Sequence, residues 1–254
     1  MKPYYLRYDE HYRSLHSQGI QYWSDGPDHC QKNIQRVCGL LTRLVPDPHG
    51  RSLLDAGCGE GHLALPIANL GFEYTGIDVS PAAIGKARDR VAQRSPAPRF
   101  HVSDTVSGEG EPFQRQFDVV LDQSCFPMIV VDVDARRYLQ NIHRVLRPQS
   151  LYLMLNQEWS SDAYDGDIAS IEQYQAVFHH DLSKPKRWEA WHGGRWVEVT
   201  LPSFAGRPRR RESLVREVTR AGFEVCELHD NPNGHMLDLV LKTCTTTESN
   251  ATSG

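Results

Sequence analysis

The clearest chemical signal in the chain is the segment LLDAGCGEGHLALPIANLGFEYTGIDVS, which combines a glycine-rich turn with two aspartates. Gly57, Gly59 and Gly61 follow an apolar strand and precede a helical pattern, and glycine lets such a turn adopt positive φ and approach a ligand closely. The following helix offers free N–H groups at its N-terminus. Asp55 precedes the turn, and Asp78 ends the next strand, 17 residues after Gly61. This order predicts a nucleotide-like ligand at the carboxyl edge of a parallel sheet.

The spacing within the turn distinguishes two nucleotide ligands. A dinucleotide fingerprint has the form G-x-G-x-x-G, with room for a pyrophosphate, whereas this turn is G-x-G-x-G. The carboxylate of Asp55 at the mouth of the turn would repel a pyrophosphate and would attract an ammonium group. The carboxylate of Asp78 can accept hydrogen bonds from both ribose hydroxyls. We therefore favour a sulfonium nucleoside with an ammonium group over NAD.

Alternating strands and helices surround the turn, which indicates a parallel sheet covered on both faces. Apolar strands are predicted at 53–54, 72–77, 100–102, 117–121, 151–155, 223–228 and 236–241. Helices are predicted at 28–45, 62–70, from Pro81 past Val91, at 135–146 and at 212–221. The stretch from Asn156 to Pro208 is too long for an ordinary loop and is predicted to be an insertion.

These motifs in combination resemble the class I S-adenosylmethionine-dependent methyltransferases of the small-molecule type. LLDAGCGEG resembles their first motif, GIDVS their second, and FDVVLDQSCF the segment after their fourth strand. The resemblance covers roughly residues 50–155 and 210–242. It implies an α/β fold with a Rossmann-like, seven-stranded, mostly parallel sheet, helices on both faces and an antiparallel last strand. It also implies S-adenosyl-L-methionine as the cofactor.

The resemblance assigns roles to individual residues. Asp55 and Gly57 would lie near the methionine moiety, Asp78 would hold the ribose, and Asp104 with Thr105 would flank the adenine. The predicted cofactor-binding residues are Asp55, Gly57, Gly59, Gly61, Asp78, Val79, Asp104, Thr105, Asp122, Tyr12, Tyr22 and Trp23.

The resemblance divides the chain into five predicted parts. These are an N-terminal helical lid at 1–49, a cofactor-binding core at 50–155, an insertion forming a substrate cap at 156–208, the C-terminal part of the core at 209–242, and a disordered tail at 243–254. The lid prediction rests on the N-terminal aromatic residues, because aromatic rings pack on adenine and attract a sulfonium. Ordinary packing of an N-terminal helix is the alternative.

Methyl transfer needs alignment in a dry site, and it needs a base only where the nucleophile carries a proton of high pKa. Asp122 ends the fourth strand, where the methyl group is expected. His192 and His235 are further candidates for a base if the fold brings them to the methyl group. The predicted catalytic residues are therefore Asp122, His192 and His235. The alternatives are a solvated acid at a strand end and histidines with surface or packing roles.

The insertion is rich in Trp, His and Arg, and Gly193-Gly194 between apolar runs predicts a hairpin over the mouth of the site. From Lys184 to Arg220 there are ten Lys and Arg against four Asp and Glu. This basic stretch is compatible with an acidic small substrate, with RNA held by stacking, or with a solvated basic face. His179-His180 lacks an i, i+4 partner, so no metal site is predicted.

Bulk properties favour one globular domain, possibly with insertions. The chain has 254 residues, 39% hydrophobic residues and a net charge of −4, which gives no whole-chain reason to expect a nucleic-acid or membrane partner. Six scattered cysteines suggest reduced thiols and a cytoplasmic location, and neither a signal peptide nor a membrane span is expected. The predicted function is methyl transfer to an O, N or S atom of a small, possibly anionic, metabolite or natural-product intermediate. An RNA methyltransferase and a non-catalytic S-adenosylmethionine-binding module are the alternatives. No oligomeric state is predicted.

Overall fold

A computed structural model describes residues 3–22, 26–94, 97–231 and 236–244. The strands among these residues are β1 (Ser52–Ala56), β2 (Glu73–Asp78), β3 (Arg99–Val102), β4 (Phe117–Gln123), β5 (Leu146–Glu158), β6 (Lys186–His192), β7 (Arg195–Leu201), β8 (Phe223–Asp230) and β9 (Met236–Thr243). The α-helices are α1 (Arg7–Ser17), α2 (Gly26–Leu44), α3 (Ala64–Leu70), α4 (Pro81–Val91), α5 (Asp132–Val145), α6 (Ile171–Val177) and α7 (Arg211–Arg220).

Seven strands form one sheet in the order β3-β2-β1-β4-β5-β9-β8. Strands β1 to β5 are parallel, whereas β9 runs antiparallel to both β5 and β8. The predicted Rossmann-like sheet with an antiparallel last strand is confirmed. Because β1 pairs with β2 on one side and with β4 on the other, the strand order reverses beside β1. Open α/β sheets bind their ligands at this switch point.

Helices cover both faces of the sheet. Successive side chains of a strand point to opposite faces, so each strand packs against helices on both sides. Leu53, Val119 and Leu121 pack in a buried cluster with residues of α2, α3 and α4. Their neighbours Leu54 and Val120 pack on the other face, in a cluster with residues of α5 and α7. The strands thus read as continuous apolar runs in the sequence, as expected for a sheet buried on both sides.

The predicted hairpin in the insertion is confirmed, with β6 and β7 paired in a two-stranded sheet of their own. Its buried contacts are with the N-terminal segment. Ala190, Val199 and Leu201 form a buried cluster with Leu15 at the end of α1 and with Ile20 after it. The hairpin therefore packs against the N-terminal segment and stabilises its position.

Two predicted boundaries differ from the structure. The prediction placed the fifth strand at 151–155, but β5 begins directly after α5, at Leu146. The tail was predicted to begin at 243, but Thr243 belongs to β9, while residues 245–254 lie outside the described residues. In the described part of the chain, no helix is both long and apolar enough to cross a bilayer.

Candidate active site

Two adjoining cavities lie at the carboxyl ends of β1, β2 and β4. The first has a volume of about 260 Å³ and the second about 210 Å³. Tyr12, Gly57, Gln123 and Ser124 line both cavities. Such concave, partly apolar sites at the switch point of an α/β sheet are the usual place for a small ligand.

The glycine turn connects β1 to α3 and forms the floor between the cavities. Gly57 has a φ of +78°, and a Cβ atom there would lie 2.5 Å from the Sγ atom of Cys125. A Cβ atom on Gly59 would lie 2.6 Å from the hydroxyl of Tyr12. Only glycine fits these two positions.

Gly61 has a different role from the one predicted. It lines neither cavity. A Cβ atom there would lie 3.0 Å from atoms of Ala87 and Phe100. Its absent side chain therefore permits close packing between the turn, α4 and β3, and we withdraw it from the set of ligand contacts.

Two carboxylates that the sequence analysis selected, those of Asp78 and Asp104, line the first cavity. Asp78 accepts hydrogen bonds from the N–H groups of Gly59 at 2.9 Å and Ser80 at 2.8 Å. Burial raises the pKa of Asp78 to about 6 despite these bonds. Asp104 accepts hydrogen bonds from the N–H of Val106 at 2.8 Å and from the hydroxyl of Tyr5 at 3.0 Å. The predicted contacts Val79 and Thr105 also line this cavity.

Asp55 lines the second cavity at the end of β1. It accepts a hydrogen bond of 2.6 Å from the hydroxyl of Tyr74. Burial, together with the nearby carboxylates of Asp122 and Asp78, raises the pKa of Asp55 to about 7, although the bond from Tyr74 lowers it. Such a concentration of buried acids favours a cationic ligand and disfavours a polyanion.

Asp122 does not contact either cavity, which corrects its prediction as a catalytic and cofactor-binding residue. Its side chain is fully buried. It accepts hydrogen bonds from the hydroxyls of Tyr138 at 2.8 Å and Tyr152 at 3.1 Å. It also accepts bonds from the N–H groups of Cys125 and Phe126 at 2.9 and 3.3 Å. Each carboxylate oxygen of Asp122 accepts two hydrogen bonds from the protein. Asp122 therefore holds the segment after β4 in place and is a positioning residue.

The N-terminal segment contributes aromatic side chains to the lining of both cavities. Tyr5, Tyr8 and Tyr12 line the first cavity, and Tyr12 and Tyr22 line the second. Tyr5 and Tyr8 were not predicted as contacts, although the spacing of three and four residues from Tyr5 to Tyr12 puts them on one helical face. Trp23, also predicted here, lies outside the described residues.

The second cavity contains polar residues that the sequence analysis did not select. They are His29, Cys30 and Asn33 from the first turns of α2, with Glu60, His62 and Asn156. The Nε2 atom of His62 lies 3.0 Å from a guanidinium nitrogen of Arg90. Because arginine can only donate, this Nε2 accepts. Burial lowers the pKa of His62 to about 4, so the ring is neutral and carries its proton on Nδ1.

The predicted bases in the C-terminal half are not brought to the cavities by the described structure. His192 lies at the exposed end of β6, its Nδ1 atom 3.2 Å from the carbonyl oxygen of Gly19. It lines neither cavity, which corrects its prediction as a base. His235 lies outside the described residues.

No described Lys or Arg of the basic stretch from Lys184 to Arg220 lines either cavity. Arg207 and Arg209 are buried and pair with Asp132 and Glu217. Among the described residues, no group of three or more His, Cys, Asp or Glu side chains is arranged to hold a metal ion.

Comparison with known proteins adds the following similarities. A family model described as "Methyltransferase domain" matches residues 53–149. An S-adenosyl-L-methionine-dependent Diels-Alderase from Neonectria sp. (strain DH2) is 26% identical over 224 residues, which cover 82% of this chain and 85% of that protein. Magnesium-protoporphyrin O-methyltransferase from Rhodobacter capsulatus is 37% identical over 82 residues, covering 32% and 35% of the two chains.

A solved structure shares the fold over nearly the whole chain. Magnesium protoporphyrin IX methyltransferase from Synechocystis PCC 6803, with bound SAM, superposes with a TM-score of 0.64 at 13% identity and covers 96% of this chain and 99% of that one. The aligned region spans less than half the length of the first curated relatives, between 35% and 46%.

Proposed function

We propose that this chain, a member of the class I S-adenosylmethionine-dependent methyltransferase family, transfers a methyl group from S-adenosyl-L-methionine to a small molecule. The observation that carries the proposal is the junction of two cavities at Gly57 and Gln123. One cavity has the residues for an adenosyl group, and the other leaves room for an amino-acid end and an acceptor. A reaction between two ligands requires such a meeting point.

The side chains of the first cavity fit the cofactor. The carboxylate of Asp78 would bind the ribose diol, and Asp104 with Thr105 would flank the adenine. Gly57 and Gly59 leave a cradle that a Cβ atom would fill. The Oε1 atom of Gln123 is buried and has no hydrogen-bond partner among the described residues, so it offers an acceptor to a cationic or N–H-bearing group. When bound, S-adenosyl-L-methionine supplies an activated methyl group whose leaving group is a neutral thioether.

The protein's own contribution is alignment and exclusion of water. Tyr5, Tyr8 and Tyr12 line the first cavity on the side of the N-terminal segment. Asp122 fixes the segment after β4, which forms another wall of this cavity. His62 lines the second cavity as a neutral ring with one N–H donor. Positioning of two reactants in a dry site supplies several kcal/mol of the barrier reduction in such reactions.

The second cavity supports a small, polar acceptor. Its walls combine amide, imidazole, thiol and carboxyl groups, and the nucleophile is an O, N or S atom. The pairing of Arg207 and Arg209 with acids removes two of the basic residues that could attract an anionic acceptor, and no described Lys or Arg lines either cavity. The same pairing weakens the case for RNA, because two of the basic residues are not available to phosphates.

Methyl release from labelled S-adenosyl-L-methionine tests the proposal. The full-length chain would be incubated with a panel of hydroxy, amino and thiol metabolites and, in parallel, with bulk tRNA and rRNA. We expect S-adenosylhomocysteine to form with at least one metabolite and not with RNA. Turnover with RNA alone would overturn the choice of a small acceptor.

The likeness to the Neonectria Diels-Alderase supports a second candidate, because it extends over four-fifths of both chains. In this alternative, the bound cofactor serves a cyclisation and is not consumed. The two functions differ in whether S-adenosylhomocysteine is formed. Formation of S-adenosylhomocysteine in step with substrate loss supports methyl transfer, whereas conversion of a polyene substrate without it supports cyclisation.

A further inference from the structure

A third cavity lies between α5, α7 and the loop after β5, and we call it the arginine cleft. Its volume is about 170 Å³, and it shares no lining residue with the two cavities of the active site. Its lining includes six arginines against four acids. The arginines are Arg136, Arg207, Arg209, Arg210, Arg216 and Arg220, and the acids are Asp132, Asp165, Asp167 and Glu217.

Two arginines of the cleft are buried and paired. Arg207 is 5% exposed and Arg209 is 3% exposed. The guanidinium of Arg209 donates from Nε to both carboxylate oxygens of Glu217, at 3.0 and 3.1 Å. Arg207 pairs with Asp132, but its buried Nε–H has no partner among the described residues. A buried donor without a partner costs free energy that a bound acceptor would recover.

Two further arginines stand exposed around the cleft without any partner. In the described parts of the chain, neither Arg136 on α5 nor Arg220 on α7 takes part in a hydrogen bond or an ion pair. Arg216 is only partly neutralised, by Asp165 at 3.1 Å. Both arginines line the cleft, from two different helices, and the lining as a whole has a positive excess of two charges.

We propose that the arginine cleft binds an oxyanion of the phosphate class carrying two or more negative charges, such as a phosphate monoester or a diphosphate. Planar guanidinium groups bind phosphate oxygens through paired N–H donors. Two such groups that line one cavity from different helices can donate to the same anion, and the charge of the anion balances the excess of the cleft. The volume accommodates a phosphate or diphosphate group and not a large polyanion.

Calorimetric titration of the full-length chain with pyrophosphate tests the site, with inorganic phosphate and succinate as comparison ligands. We expect saturable binding of pyrophosphate with one site per chain. The double variant Arg136→Ala/Arg220→Ala should bind it about tenfold more weakly or worse, because two charge-assisted contacts are lost.

Arg137→Ala is the matched control, since Arg137 is adjacent on α5, does not line the cleft and lies 4.0 Å from Asp134. This variant should bind like the unmodified chain. Both sets of substitutions are on exposed residues, so thermal unfolding should be unchanged and a loss of binding is not a loss of fold. Equal pyrophosphate affinity in the double variant and the control would overturn the proposal, as would binding of succinate as tight as that of pyrophosphate. The titration needs no cofactor, so its outcome is independent of the proposed methyl transfer.

Discussion

The active-site cavities and the arginine cleft are built from opposite charges on different supports. Buried carboxylates at the ends of strands, Asp55 and Asp78, give the active site its character. The cleft depends on arginines that extend from two helices and a loop. A short side chain at the end of a strand has a fixed position relative to its neighbours. A long arginine side chain is flexible, and its orientation depends on the ion pairs that it forms. The first kind of site can therefore be recognised from a local motif and the second cannot.

The two regions meet at one short segment, residues 127–130. The backbone N–H of Arg207 donates to the carbonyl oxygen of Pro127 at 2.8 Å. The guanidinium of Arg209 donates to the carbonyl oxygen of Ile129 at 2.9 Å. Met128 and Ile129 line the first cavity. The buried arginines thus support a wall of the active site, and five predictions test this support and the ligand contacts separately.

The largest effect is expected from Arg207→Ala. Removing one partner of a buried ion pair leaves Asp132 without its countercharge, and the cost of such a break is about 3 kcal/mol in the free energy of unfolding. Denaturation in urea measures it. Arg210→Ala is the control on the neighbouring exposed arginine and should change the free energy of unfolding by about 0.5 kcal/mol or less. Equal losses in the two variants would show that burial is not what distinguishes Arg207.

Asp78→Ala should weaken binding of S-adenosylhomocysteine by about 100-fold, because two hydrogen bonds from the ribose diol to a charged acceptor are lost. Calorimetry measures the dissociation constant. Asp89→Ala, on the exposed side of α4, is the control and should leave the affinity unchanged. Retention of affinity in Asp78→Ala would exclude the proposed position of the ribose.

Binding of S-adenosyl-L-methionine should strengthen as the pH rises from about 5.5 to 7.5. Burial raises the pKa of Asp78 to about 6 and that of Asp55 to about 7, and a cation binds best when both are ionised. The gain can reach about tenfold per pH unit for one carboxylate that must ionise. Asp55→Asn should flatten the profile above pH 6.5. An affinity that is constant or falls over this range would contradict the role of these carboxylates.

The same shifts have the opposite sign for the stability of the free protein. Both carboxyls hold their protons more tightly when folded than when unfolded. From about pH 4 to pH 7, their contribution to stability therefore decreases as the pH rises. A thermal unfolding series without ligand should show this decrease in the unmodified chain and a smaller one in Asp55→Asn.

Tyr5→Phe should have the smallest effect, a loss of cofactor affinity of about fivefold. Its hydroxyl donates to Asp104 at 3.0 Å, and a hydrogen bond to a charged group contributes about 1 kcal/mol or somewhat more. The ring remains to cover the first cavity. Competition calorimetry against adenosine resolves a change of this size. A gain in affinity would mean that the hydroxyl competes with the adenine for Asp104.

The core of the fold could be predicted because its evidence is local. The turn at Gly57 and Gly59, the acid at Asp78 and the apolar strands each occur within a few residues, and the structure combines them as expected. Asp122 was assigned wrongly because its position at a strand end is visible in sequence but its hydroxyl partners, Tyr138 and Tyr152, come from α5 and β5.

The insertion could be predicted only as a local element. The hairpin around Gly193-Gly194 was recognised from its turn, but its packing on α1 depends on contacts between residues more than 170 positions apart, such as His192 with Gly19. The histidines of the second cavity were missed for the same reason. His29 belongs to a helix whose sequence shows only an apolar face, and nothing local indicates which of its polar residues faces the cavity.

A crystal structure of the full-length chain with bound S-adenosylhomocysteine tests the central claim most directly. We expect the ribose diol to bind the carboxylate of Asp78 and the adenine to lie beside Asp104. The thioether sulfur should lie between Gly57 and Gln123, where the two cavities join. An adenosyl group bound elsewhere, or crystals that take up no ligand at saturating concentration, would contradict it.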